Sequence, residues 1–137
     1  MPRKFKILLV EDDEDERFFM KEGFTSTGLF DIIADAGNGE ELLALINKAD
    51  FSLPEIILSD LNMPGKNGYD ILSEIRNKPC LSHIPVFIVS TASCSHSAEK
   101  CKRLGAHSFF TKPDTFLEYD QFAQALYNTV INEAVYN

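Results

Sequence analysis

Five short apolar runs recur along this 137-residue chain, and each is followed by a stretch with helical periodicity. The runs are Phe5–Val10 (FKILLV), Phe30–Ala34 (FDIIA), Ile56–Leu58, Pro85–Ser90 (PVFIVS) and His107–Thr111 (HSFFT). Near-continuous apolar character over so few residues is how a strand buried on both faces reads. The intervening helices are expected at Glu14 to about Ser26, at Glu40–Ala49, from Gly68 to before Pro79, at Ser97–Leu104 and from Phe116 to about Ala134. Leu42, Leu45, Ile46 and Ala49 share one face of the second; Ile71, Leu72 and Ile75 stripe the third; Ala98, Cys101 and Leu104 face inward from the fourth. Asn38 fits as an N-cap and Gly105 as a left-handed C-terminal cap. Strands that alternate with helices imply an α/β fold, a parallel sheet covered by helices on both faces.

A parallel sheet gathers the C-terminal ends of its strands along one edge, where such folds place ligands and chemistry. The third run sits in Pro54–Gly68 (PEIILSDLNMPGKNG), which lifts Asp60 to the tip of a buried strand and then turns at Pro64, Gly65 and Gly68. The first run delivers Glu11 and Asp12 to the same edge, the fourth Ser90 and Thr91, the fifth Lys112. Carboxylates about 4–5 Å apart repel by several kcal/mol at an effective dielectric near 20, and a divalent cation relieves them. With oxygen ligands and no His or Cys in the set, a hard ion is indicated, and a partly open site suits Mg²⁺. Lys112 and Ser90 read as groups for phosphoryl oxygens. A carboxylate nucleophile, a metal and a lysine clamp are the parts required to transfer a phosphoryl group to an aspartate.

Other classes are disfavoured. A net charge of −8, with no run of Lys or Arg, argues against nucleic-acid binding. No apolar stretch approaches the roughly 20 residues of a membrane span, and the opening MPRKFKILLVEDD is too short in its apolar part for a signal peptide. Cys80, Cys94 and Cys101 have no metal-ligand spacing, so reduced thiols and a cytoplasmic location are expected. Phosphate-cradling glycine motifs are absent, which leaves nucleotide or flavin binding unsupported.

The four segments Val10–Asp13 (VEDD), Ser59–Gly68 (SDLNMPGKNG), Ile88–Ala92 (IVSTA) and Lys112-Pro113 closely resemble the receiver domain of two-component response regulators, from about Lys4 to the last helix. The resemblance implies a flavodoxin-like (βα)5 doubly wound sheet, strand order 2-1-3-4-5. It also implies phosphorylation of Asp60 by a histidine kinase or phosphotransfer protein. Glu11, Asp12, Asp60 and the backbone carbonyl of Asn62 would hold Mg²⁺. Ser90 would be the switch hydroxyl, Lys112 the phosphate partner, and Phe109 the aromatic whose rotamer follows the state. Ser90 and Phe109 replace the more frequent Thr and Tyr, and without a phenolic hydroxyl Phe109 should favour burial. The resemblance also raises a cis Lys112–Pro113 bond, against the general frequency of about 5% for such bonds. Because fewer than about twenty-five residues follow Pro113, the chain reads as a single stand-alone receiver domain of residues 1–137, with no output domain. A phosphoacceptor switch, rather than an enzyme acting on other molecules, is the expectation. A phosphohydrolase would want a second acid near the nucleophile, where Asn62 stands. A constitutive adaptor would not need the intact acids, hydroxyl and lysine.

Two stretches carry alternatives. Asp13–Glu16 reads as a solvated helix start favoured by the helix dipole. The last helix offers Tyr119, Phe122, Ala123, Leu126, Tyr127, Val130, Ile131 and Ala134, more apolar surface than one stripe requires. Either a wide stripe packs on the sheet, or its outer part, around Phe122, Leu126 and Val130, meets a second copy or a kinase.

Overall fold

The computed structural model describes residues 3–48, 50–91 and 95–132. Its strands are β1 (Phe5–Val10), β2 (Phe30–Ala36), β3 (Ile56–Asp60), β4 (Val86–Ser90) and β5 (Ser108–Thr111). Its helices are α1 (Glu14–Thr27), α2 (Gly39–Ile46), α3 (Gly68–Arg76), α4 (Ser95–Arg103) and α5 (Tyr119–Asn132), the last entered through a 3₁₀ turn at Phe116–Glu118. The sheet is parallel throughout, in the order β2-β1-β3-β4-β5, the flavodoxin-like arrangement that the family resemblance implies. The central strands β1, β3 and β4 are buried almost end to end.

The period-two alternation of strand side chains divides the core into two layers. Ile7, Leu9, Ile56, Leu58, Phe87 and Val89 face α1 and α5, where they meet Met20, Phe24, Leu126 and Val130. Leu8, Val10, Ile57, Val86 and Ile88 face the other way, onto Leu42, Ile71, Leu72, Ile75 and Cys101 of α2, α3 and α4. Helix starts follow their expected chemistry. The Asn38 side chain accepts from Glu41 N at 2.8 Å, and Asn67 with Asp70 closes a capping box at α3. Gly105 follows α4 at φ 104°, the left-handed conformation expected of it.

Two points that the sequence leaves open are decided by the structure. The Lys112–Pro113 peptide is trans, since the described residues contain no cis bond. The apolar face of α5 points inward rather than to a partner: Tyr119, Phe122, Ala123, Leu126, Tyr127 and Val130 are all buried in the chain's own core. The stripe is wide because α5 is wedged between neighbours. Phe122 lies against Phe110 of β5 and Phe24 of α1, at 5.5 and 6.2 Å between ring centroids, and Tyr127 lies 5.6 Å from Phe5 of β1. The dimer surface expected around Phe122, Leu126 and Val130 is therefore corrected; among the described residues of that stripe only Ile131 is exposed. Ala49 and Ala134, assigned to helices from the sequence, lie outside the described residues.

The seam between α1 and α5 is closed by a glycine. A Cβ at Gly23 would stand 2.6 Å from Tyr119 Cβ, 2.7 Å from Tyr119 C and 2.7 Å from Asp120 N. Two of those atoms are backbone and cannot turn aside. Alanine is favoured over glycine in a helix by about 1 kcal/mol, while forced overpacking costs about 1–3 kcal/mol or more. Gly23→Ala is therefore expected to lower the melting temperature by several degrees in thermal unfolding; a gain would show that the helices can separate without loss.

Candidate functional site

The sheet edge assembles the acidic site by backbone pairing before any side chain is considered. Glu11 N donates to Ala36 O at 3.0 Å, Leu61 N to Val89 O at 3.0 Å and Lys112 N to Ser90 O at 2.8 Å, so the ends of β1, β3, β4 and β5 are tied in a row. The turn after β3 is closed by Gly68 N donating to Leu61 O at 2.9 Å. A side chain at Gly68 would be tight, because a Cβ there would stand 3.0 Å from Leu61 Cα and 3.1 Å from Asp60 O, and this backbone would have to give by a few tenths of an ångström.

Glu11, Asp12 and Asp60 each place a carboxylate oxygen within 4.8 Å of the others. Glu11 and Asp60 are buried, while Asp12 is open to solvent. Lys112, its side chain only 8% exposed, brings its ammonium to the centre: 2.8 Å from Glu11 Oε1, 3.4 Å from Asp60 Oδ1 and 3.1 Å from Glu16 Oε1. Ser90 is buried at the end of β4, and its Oγ accepts a long 3.4 Å hydrogen bond from Asn62 Nδ2. Phe109 is half-buried against the α2–α4 layer and borders a pocket of about 280 Å³ with Ala98, Lys102 and His107.

One ammonium does not neutralise the cluster. Burial pushes the Glu11 carboxyl up to about 7; the Lys112 ammonium opposes that shift and the Asp60 charge adds to it. Burial likewise raises Asp60 to about 6, against the pull of Lys112 and of the Asn62 backbone N–H. Burial works against the Lys112 ammonium, yet its contacts with Glu11, Asp60 and Glu16 outweigh this and hold it well above the usual lysine value.

The donor set fits a hard divalent cation. All three candidate ligands are carboxylates. Glu11 Oε2 accepts from Asp13 N at 3.1 Å, but Glu11 Oε1 is buried without a hydrogen bond; it has only the ion-pair approach of Lys112. A buried carboxylate oxygen left in that state is a coordination position already desolvated by the fold.

The sequence reading placed Glu16 on a solvated helix start, and the structure corrects this. Asp13 alone serves as the cap, accepting from Glu16 N at 2.9 Å, while the Glu16 side chain turns inward. There it accepts from Lys112 Nζ through Oε1 and from the Tyr119 hydroxyl through Oε2. The signal was in the spacing: Glu16, Met20 and Phe24 stand four residues apart and are the buried face of α1. Arg17, next along, donates to Glu11 O at 2.6 Å and pairs with Asp35 at 3.1 Å, which fixes the β1–α1 turn.

Comparison with known proteins gives the same assignment. A family model described as the response regulator receiver domain matches residues 7–122. The chemotaxis protein CheY-3 of Vibrio cholerae is 29% identical over 113 residues, spanning 82% of this chain and 84% of that protein. The chemotaxis protein CheY of Pseudomonas aeruginosa is 30% identical over 115 residues, spanning 80% and 86%. The crystal structure of the phosphorylated cyanobacterial phytochrome response regulator RcpA superposes with a TM-score of 0.80 at 27% identity, covering 95% of this chain and 96% of that one. With its parallel sheet, its strand-end acids and lysine, and these relatives, the chain belongs to the response regulator receiver domain family of two-component signalling.

Proposed function

We propose that this receiver domain accepts a phosphoryl group on Asp60, from a histidine kinase or phosphotransfer protein, and thereby switches a protein-binding surface. The observation that carries the reading is the seat of Asp60: a buried carboxylate at a central strand end, 3.4 Å from a buried ammonium and within 4.8 Å of two further acids. An Asp60 oxygen attacks the phosphorus, the bond to the donor's nitrogen or oxygen breaks, and the donor leaves with that electron pair. Lys112 faces the oxygens of the incoming group. Glu11, Asp12 and Asp60, with the Asn62 carbonyl, would hold Mg²⁺. A bound Mg²⁺ supplies positive charge to the carboxylates and to the phosphoryl oxygens during transfer. Ser90, reached through Asn62, and the half-buried Phe109 are the groups that would register the change. Among the described residues no helix is long and apolar enough to cross a membrane.

A phosphohydrolase on this fold is the competing reading, and Asn62 speaks against it because an amide cannot serve as a general acid. Incubation with Mg²⁺ and acetyl phosphate separates the two by intact mass. One added phosphoryl group is expected, lost in Asp60→Asn and strongly reduced without Mg²⁺. Steady turnover of phosphate esters would instead favour the enzyme, and an unchanged mass under all conditions would remove the phosphoacceptor.

The raised carboxyls make a second prediction. In the folded chain burial raises the Glu11 carboxyl to about 7 and the Asp60 carboxyl to about 6, above their unfolded values. Between about pH 4 and pH 7 the folded chain therefore holds protons that the unfolded chain has released, and metal-free stability falls as pH rises through that window. Mg²⁺ binds the ionised forms, so its stabilising effect should grow over the same range. At matched ionic strength, the rise in melting temperature on adding Mg²⁺ should be at least about twofold larger at pH 8 than at pH 5.5. Asp60→Asn should raise metal-free stability at pH 8, on the order of 1 kcal/mol, and shrink the Mg²⁺ response. Equal Mg²⁺ shifts at both pH values would sink the assignment of these carboxyls to the metal.

A further inference from the structure

Lys112 and a divalent metal have overlapping claims on this pocket. The ammonium sits 2.8 Å from Glu11 and 3.4 Å from Asp60, and the same two carboxylates belong to the group that could hold an ion. If these were its only partners, a metal taking them would leave a positive charge buried beside a divalent cation, and the two would repel strongly in a pocket of low effective dielectric. Glu16 changes that balance. It lies outside the candidate metal cluster, comes from α1 rather than a strand end, and accepts from Lys112 Nζ at 3.1 Å.

Glu16 is itself held in place. Its second oxygen accepts from the hydroxyl of Tyr119, a fully buried residue at the start of α5. A buried tyrosine hydroxyl needs a partner, and here the partner is this carboxylate. Tyr119 is delivered by the α1–α5 seam, whose close approach at Gly23 presses the Tyr119 backbone against the helix that carries Glu16. Two packed helices thus fix one carboxylate at the edge of the pocket.

We propose that Glu16, fixed by the Tyr119 hydroxyl, is a positioning residue that retains Lys112 in the acidic pocket while Glu11 and Asp60 are given to the metal. The inference rests on the phosphoacceptor reading for its purpose, because a retained ammonium is one that can meet the phosphoryl oxygens. The geometric claim concerns metal and lysine alone. Without Glu16, Lys112 falls back wholly on Glu11 and Asp60 and competes with the ion.

Titration with Mg²⁺ alone, followed by thermal shift, tests the claim without any phosphorylation. Glu16→Gln should weaken Mg²⁺ binding by about tenfold or more, since one unit-charge contact at short range and an effective dielectric near 20 exceeds that scale. Tyr119→Phe should weaken it severalfold. In a Lys112→Met background the further loss from Glu16→Gln should fall to less than about twofold, because Glu16 acts through the lysine. Unchanged affinity in Glu16→Gln would overturn the proposal. So would an equal loss with and without Lys112, since Glu16 would then be a generic negative charge near the ion. Should Glu16→Gln fail to fold, Tyr119→Phe decides alone, and an affinity within twofold of the parent would overturn the proposal. At saturating Mg²⁺ the rate of phosphoryl gain from acetyl phosphate should also fall in Glu16→Gln. A parent protein that binds Mg²⁺ as described yet never gains mass would refute the phosphoacceptor function and leave the positioning role to the titration.

Discussion

Carboxylates forced together at the end of a parallel sheet are the constraint around which this molecule is arranged. Backbone pairing fixes where Glu11 and Asp60 stand, so the repulsion cannot be relieved by moving the strands apart without breaking the ladder between β1, β3 and β4. What can respond are protons, cations and the side chain of Lys112, which reaches in. Burial and mutual repulsion lift the Glu11 and Asp60 carboxyls, while the same surroundings hold the Lys112 proton more tightly. All three shifts run upward: burial is the main cause for the two carboxyls, and for the lysine the neighbouring carboxylates outweigh burial.

The apolar architecture exists to hold that pocket still. Each central strand donates alternate residues to two separate layers, so a slip of one residue would exchange the layers and scatter the strand ends. The helices do not contribute equally. Those on the α2–α4 side complete a core beneath the sheet, whereas α1 and α5 also reach the site, through Glu16 and Tyr119.

Much of this was legible in the sequence, for identifiable reasons. Asp60, Glu11, Asp12, Ser90 and Lys112 could be placed together because each ends or directly follows a strand, and parallel strands end on a common edge. Glu16 was missed because two local signals, an acidic first turn and a position three residues after a cap, both favour an exposed carboxylate. The i, i+4 spacing to Met20 and Phe24 pointed inward, and tertiary packing decided for it. The width of the α5 stripe was read correctly as residue pattern, but its cause was not local. A helix wedged between β1, β5 and α1 buries more than one stripe, and only the three-dimensional arrangement shows that Phe110, Phe24 and Phe5 stand on different sides of it.

The two sides of the site differ in how much room they leave. Toward α1 and α5, Lys112 enters a pair of buried acceptors, and the helices behind them touch so closely that Gly23 cannot carry a methyl group. Toward α4, Phe109 of β5 is half-buried and borders open space, and the Asn62–Ser90 hydrogen bond is long. Close-packed interiors resist displacement, and loosely covered edges yield at lower cost. A charge added at Asp60 therefore meets a rigid wall on one side and a compliant one on the other. On the phosphoacceptor reading, the tight side would hold Lys112 and the loose side would rearrange, so that the asymmetry of packing around one carboxylate would separate the chemistry from the response.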